Sequence, residues 1–165
     1  MVSPTLSDWS TYLAVQAGAA ATLTGLVFVA VSLNVNRIMS FAGLSSRAGE
    51  SLLQLLGVFF ISGAALIPGE SAKFLGFEIL AIALVSWLAQ VAGQVRYLFN
   101  RSGHPLTWLT VRAAGAQLAT LPFFVAGVEL IGGMPSAPYW LALGFAFSFM
   151  AALFSAWVLL IEILR

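Results

Sequence analysis

The chain has 165 residues, of which 61% are hydrophobic and only 8% are charged, and its mean hydropathy is +1.00. A soluble domain of this length has about a quarter of its residues charged, so this composition predicts an integral membrane protein. The net charge of +1 provides no basic surface and therefore excludes a nucleic-acid-binding protein. Since the chain has no cysteine and one histidine, we expect no disulfide, no metal centre and no bound cofactor.

The apolar residues fall into five segments, each long enough for a helix to cross a bilayer. These segments cover about 12–35, 51–67, 74–99, 106–131 and 139–164. We therefore predict an all-α, polytopic transmembrane helix bundle with one integral membrane domain over residues 1–165. The second segment is the shortest and ends at Pro68-Gly69, so the alternative is four spans with a tilted or re-entrant second segment.

The positions of the basic residues predict the orientation in the membrane. Short cytoplasmic loops collect Lys and Arg, and no basic residue precedes the first span. Arg37 and Arg47 follow that span, and Arg96, Arg101 and Arg112 lie around the connection between the third and fourth spans. We therefore expect five crossings with the N-terminus outside and the C-terminus inside, and an inner basic surface that also suits anionic lipid headgroups.

The first span carries a stripe of small and polar residues at helical spacing. We label this first span, about 12–35, α1, and its stripe, the α1 stripe, consists of Thr22, Gly25, Phe28, Val29, Ser32 and Asn36. A lipid-facing helix gains nothing from such a stripe, so we expect it to face protein or water. One interpretation, which we favour, is a packing seam against another helix. The other is a pore lining in an oligomer, with Phe28 or Val29 as the hydrophobic constriction.

The third span has a second polar face, formed by Ser86, Gln90 and Gln94 at intervals of one turn. An amide without a partner in hydrocarbon costs several kcal/mol. We therefore expect these side chains to hydrogen-bond to a neighbouring helix, or alternatively to line a hydrated path.

Two acidic residues, Glu78 and Glu129, lie about one turn inside the outer ends of the third and fourth spans. Repeated around an oligomer, they would form a ring that concentrates cations at an outer vestibule. The ordinary interpretation is that they are interfacial carboxylates that pair with basic side chains or water.

The sequence contains no catalytic constellation. Its one aspartate, Asp8, excludes an intramembrane aspartyl pair, and its one histidine, His104, lies in no recognisable nucleophile motif. We therefore expect a protein that is not an enzyme.

The segment from Ala20 to Asn34, AATLTGLVFVAVSLN, resembles the opening span of a group of small bacterial multi-pass membrane proteins. Most of that group are uncharacterised, and some are described as modulators of a membrane-bound ATP-dependent protease. The resemblance implies a bacterial inner membrane.

These observations lead to two hypotheses for function. The first is a homo-oligomeric inner-membrane protein that forms an ion or small-solute channel lined by the first span. The second is a module that does not transport, but packs against another membrane protein, such as a protease or transporter, and modulates it. The expected partners are the lipid bilayer, further copies of the chain and a membrane protein.

Overall fold

The structure is a computed structural model that describes residues 6–40, 44–99 and 106–164. All regular structure in these residues is helical, which confirms the all-α prediction. A 3-10 turn and six α-helices follow in order: Leu6–Trp9, α1 Ser10–Leu33, α2 Val35–Ser40, α3 Leu44–Ala64, α4 Ala72–Phe99, α5 Leu106–Gly132 and α6 Ala137–Leu164.

Helices α3 to α6 form a four-helix ring. Each packs on the next along the chain, and α6 packs back on α3. Successive helices run antiparallel: Glu129 near the end of α5 contacts Trp140 near the start of α6, and Ala119 contacts Ser148 further along. Helix α1 packs mainly on α3 and makes only slight contact with α6. It therefore lies beside the ring as an outer helix.

This antiparallel order gives the bundle two ends. At the first, which we call the Trp9 end, Trp9 packs edge-on against Tyr12 and Tyr139, with ring centroids 5.5 and 5.2 Å apart. The opposite end, which we call the Arg47 end, contains α2 and the start of α3. There, a Cβ added at Gly93 would lie 3.4 Å from a carboxylate oxygen of Glu50, which shows how closely α3 and α4 approach.

Four of the described helices contain a stretch long and apolar enough to cross a membrane, by length and composition. They are α1 and the segments Ala72–Arg96 of α4, Ala113–Gly132 of α5 and Ala137–Val158 of α6. Helix α3 is not among them, so the fifth span stays a prediction. At 21 residues, α3 is about 31 Å long, which is sufficient in length. It lacks apolarity, because its first turns carry Arg47 and Glu50.

Two predicted boundaries differ from the structure. The second predicted segment, 51–67, corresponds to α3 over Leu44–Ala64, which begins seven residues earlier. The apolar pattern missed this start because the first two turns carry Ser45, Ser46, Arg47 and Glu50, of which Glu50 is buried against protein. The first predicted segment, 12–35, ends in a break at Asn34. There the backbone N–H bonds to Val31 O at 3.2 Å, and a short second helix follows.

The ring is tightest near the Trp9 end, where its helices meet through glycine. A Cβ at Gly76 would lie 2.8 Å from the carbonyl oxygen of Gly127, so α4 and α5 cross nearly backbone to backbone. A Cβ at Gly144 would lie 2.6 Å from the ring of Phe123. Small residues of this kind let membrane helices approach closely.

Candidate functional site

The α1 stripe lies on the outside of the bundle. All six of its members, Thr22, Gly25, Phe28, Val29, Ser32 and Asn36, are exposed. The buried residues of α1 are Leu13 and Ala20, on the face toward α3. At 100° per residue, four members lie about 100–180° around α1 from Leu13 and Ala20, and Phe28 lies at the flank between the two faces. The four are Thr22, Gly25, Val29 and Ser32. Asn36 lies on α2, beyond the break at Asn34. The stripe is therefore not a packing seam within one chain, and its neighbours must be lipid, water or another protein chain.

The polar groups of this face are satisfied by the helix itself. The hydroxyls of Thr22 and Ser32 each donate to the carbonyl oxygen four residues earlier at 2.8 Å. Asn34, which ends α1 and is not part of the stripe, also bonds within the helix, its side-chain amide donating to Ala30 O at 2.9 Å. Such back-bonding removes most of the cost of a hydroxyl in hydrocarbon. The face therefore presents no unsatisfied hydroxyl donor at Thr22 or Ser32.

The predicted polar face of α4 points into the ring. Gln90 is 2% exposed, and its amide N–H donates to Thr120 Oγ1 at 3.2 Å and to Ser86 O at 3.1 Å. Gln94 lies one turn further along, and its Nε2 is buried without a hydrogen-bond partner. The structure thus brings Gln90 together with Thr120 of α5, whereas the Ser86 hydroxyl lies on the side of α3, 3.7 Å from a Cβ added at Gly57.

Sequence analysis did not identify the side chains of α5 and α6 that form hydrogen bonds between helices. On α5, Thr120 accepts from Gln90, and Gln117 Oε1 accepts from the indole N–H of Trp87 at 2.9 Å. On α6, the hydroxyl of Ser148 donates to Ala119 O at 3.4 Å. These residues are single polar positions in apolar runs, so no periodic pattern marks them.

Helix α3 contributes a polar row that sequence analysis also missed. Arg47, Glu50 and Gln54 follow one another at steps of three and four residues. The same face of α3 then continues with the apolar positions Gly57 and Ile61. Glu50 and Gln54 are each 8% exposed, and the Oε1 atom of Gln54 has no hydrogen-bond partner. The signal that could have found the row is its helical spacing across the boundary between polar and apolar sequence.

Polar side chains border the axis of the four-helix ring in the half nearer the Arg47 end. Aromatic side chains fill the axis in the half nearer the Trp9 end. A void of about 10 Å³ lies on the axis, bordered by Gln54, Gln90 and Thr120. This volume is at the lower limit for one water molecule. Toward the Trp9 end, Phe123 packs on Phe145 with centroids 5.5 Å apart, and Phe145 is fully buried. Among the described residues, these aromatic rings close the axis.

The predicted acidic residues lie at the Trp9 end. The indole N–H of Trp140 donates to Glu129 Oε1 at 3.1 Å, while Oε2 of Glu129 is buried without a partner. Glu78 is half-buried and forms a side-chain hydrogen bond with Glu70 in the loop before α4. Desolvation, and then the negative charge of Glu78, raise the pKa of Glu70 above its usual range. The structure does not arrange these carboxylates as a ring within one chain.

The described members of the predicted inner basic set lie at the Arg47 end, whereas Lys73, at the start of α4, lies at the Trp9 end. Arg37 lies on α2 and Arg96 near the end of α4, both exposed, and Arg47 is half-buried on α3. Arg101 lies outside the described residues. Arg112 belongs to α5, but its side chain is outside what the structure describes.

In the described part of the chain, no group of three or more His, Cys, Asp or Glu side chains could hold a metal ion. Comparisons with protein-family models, curated proteins and solved structures find no match for this chain. The candidate sites therefore rest on geometry: the exposed α1 stripe, and the polar row of α3 facing α4, α5 and α6.

Proposed function

We propose that the protein is a non-enzymatic membrane protein that crosses the bilayer five times and self-associates through the outer face of α1. The observation that carries this proposal is the exposure of every member of the α1 stripe. A bacterial inner membrane, with the N-terminus outside, is the location that the basic residues and the resemblance of the first span favour.

The proposal counts α3 as the fifth span. Helix α3 packs against α1, α4 and α6, so protein covers much of its surface. Intramembrane polar side chains are tolerated where they face the interior of a bundle. Glu50 and Gln54 are buried in this way. The polar character of α3 is thus consistent with a span that contacts little lipid.

The open space around the small residues on the outer face of α1 supports self-association through this face. Gly25 has no atom within 4 Å of an added Cβ, so its surroundings are open in a single chain. In a two-fold contact the same patch meets itself, and small residues then allow two helices to approach closely. The face of α1 that carries Leu13 and Ala20 cannot serve, because it already contacts the ring.

A conduit for ions or small solutes between associated copies is the narrower form of this proposal. The axis of the ring is closed by Phe123 and Phe145, which favours a path between chains over a path through one. In such an assembly Phe28 or Val29 would form the constriction, and Glu129 would influence the approach of cations.

Two cysteine variants test self-association, and the chain has no native cysteine to interfere. Ser32→Cys lies on the stripe, whereas Ala30→Cys is equally exposed but about 160° away around the helix. In liposomes we expect oxidative crosslinking of Ser32→Cys to be several-fold faster. Equal rates would overturn self-association through this face.

Flux through proteoliposomes tests the conduit separately. We expect the wild-type protein to dissipate an ion gradient, and Gly25→Leu to abolish the flux while leaving the fold of the chain intact. Crosslinking of Ser32→Cys without any flux would support association and contradict the conduit.

A second candidate function is modulation of another membrane protein, such as a protease or transporter. It is favoured by the internal hydrogen bonds of Thr22 and Ser32, because a face that needs no water suits a contact with another helix. Crosslinking of the full-length protein in its native membrane discriminates between the two. A reproducible foreign partner, without a homo-oligomer, would favour modulation.

A further inference from the structure

We draw no further inference here: the strongest candidate, the axial void of about 10 Å³ between α3, α4, α5 and α6, carries none, because its volume is at the lower limit for one water molecule and the unpartnered amide oxygens of Gln54 and Gln90 beside it have almost no accessible surface with which to hold an occupant.

Discussion

Helices α1 and α3 show two ways in which a helix accommodates polar residues in a membrane bundle. Only 6% of the apolar stretch of α1 is buried, and its hydroxyls bond to their own backbone. Helix α3 buries ten residues, including Glu50 and Gln54, and contacts α1, α4 and α6. A helix that faces lipid must satisfy its polar groups internally, whereas a helix surrounded by protein can use its neighbours.

The largest expected difference between the two helices comes from leucine truncation. Leu55 on α3 is 1% exposed and Leu26 on α1 is 63% exposed. Leu55→Ala leaves a cavity and should lower the free energy of unfolding by about 3 kcal/mol. Leu26→Ala leaves none and should change it by less than about 0.5 kcal/mol. Reversible unfolding in mixed micelles measures both, and equal losses would contradict the outer position of α1.

A second comparison adds a methyl group to a glycine instead of truncating a leucine. A Cβ at Gly127 would lie 2.7 Å from Leu80 Cγ, whereas Gly25 has nothing within 4 Å. Gly127→Ala should therefore destabilise the chain by about 2 kcal/mol through overpacking. Gly25→Ala should cause no loss in a single chain. A loss at Gly25 that grows with protein concentration would instead report contact between copies.

Removing one hydrogen bond should give a smaller difference in stability between a buried position and one on the outer face of α1. Gln90→Leu removes the bond to Thr120 and should cost about 1 kcal/mol, near the upper part of the range for interhelical bonds in membranes. Thr22→Val removes only a bond within α1 and should have almost no effect. Thermal melting of the two variants in one detergent makes the comparison. A larger loss for Thr22→Val would contradict the outward face of α1.

The smallest expected effect is the pH dependence from Glu70, outside the spans. Its pKa is raised, chiefly by desolvation and then by Glu78. Folding therefore favours the protonated carboxyl, so this residue lowers stability as the pH rises from the unfolded pKa through the raised folded value. It has no such effect below the unfolded pKa. Melting temperatures across this range should fall slightly for the wild type, and Glu70→Gln should remove that part of the dependence. If the melting temperature of Glu70→Gln fell with pH as steeply as that of the wild type, the raised pKa of Glu70 would be contradicted.

Hydrophobic length was sufficient to predict most of the helices, because four of them contain a long apolar stretch. Predicted segments 74–99 and 106–131 differ from α4 and α5 by only a few residues. The same criterion placed the start of α3 too late, because the first turns of α3 contain the charged residues Arg47 and Glu50. These side chains pack against other helices, which an apolar pattern does not detect. The short helix α2 after Asn34 was not predicted either.

The candidate site was less accessible to sequence reasoning than the helices. The polar spacing of Gln90 and Gln94 was visible, but the partner of Gln90, Thr120, depends on which helices are neighbours in the ring. The outward direction of the α1 stripe likewise depends on α1 packing through one face only. Both features depend on tertiary packing, and neither produces a periodic pattern in the sequence.

The most direct test of the account is whether α3 crosses the membrane. Ser40 and Ala72 flank α3 and are both exposed, and the chain has no native cysteine. A membrane-impermeant thiol reagent applied to sealed vesicles of the Ser40→Cys and Ala72→Cys variants reports the side of each. We expect the two positions to be labelled from opposite faces of the membrane. Labelling of both from the same face would contradict a fifth span and, with it, the proposed topology.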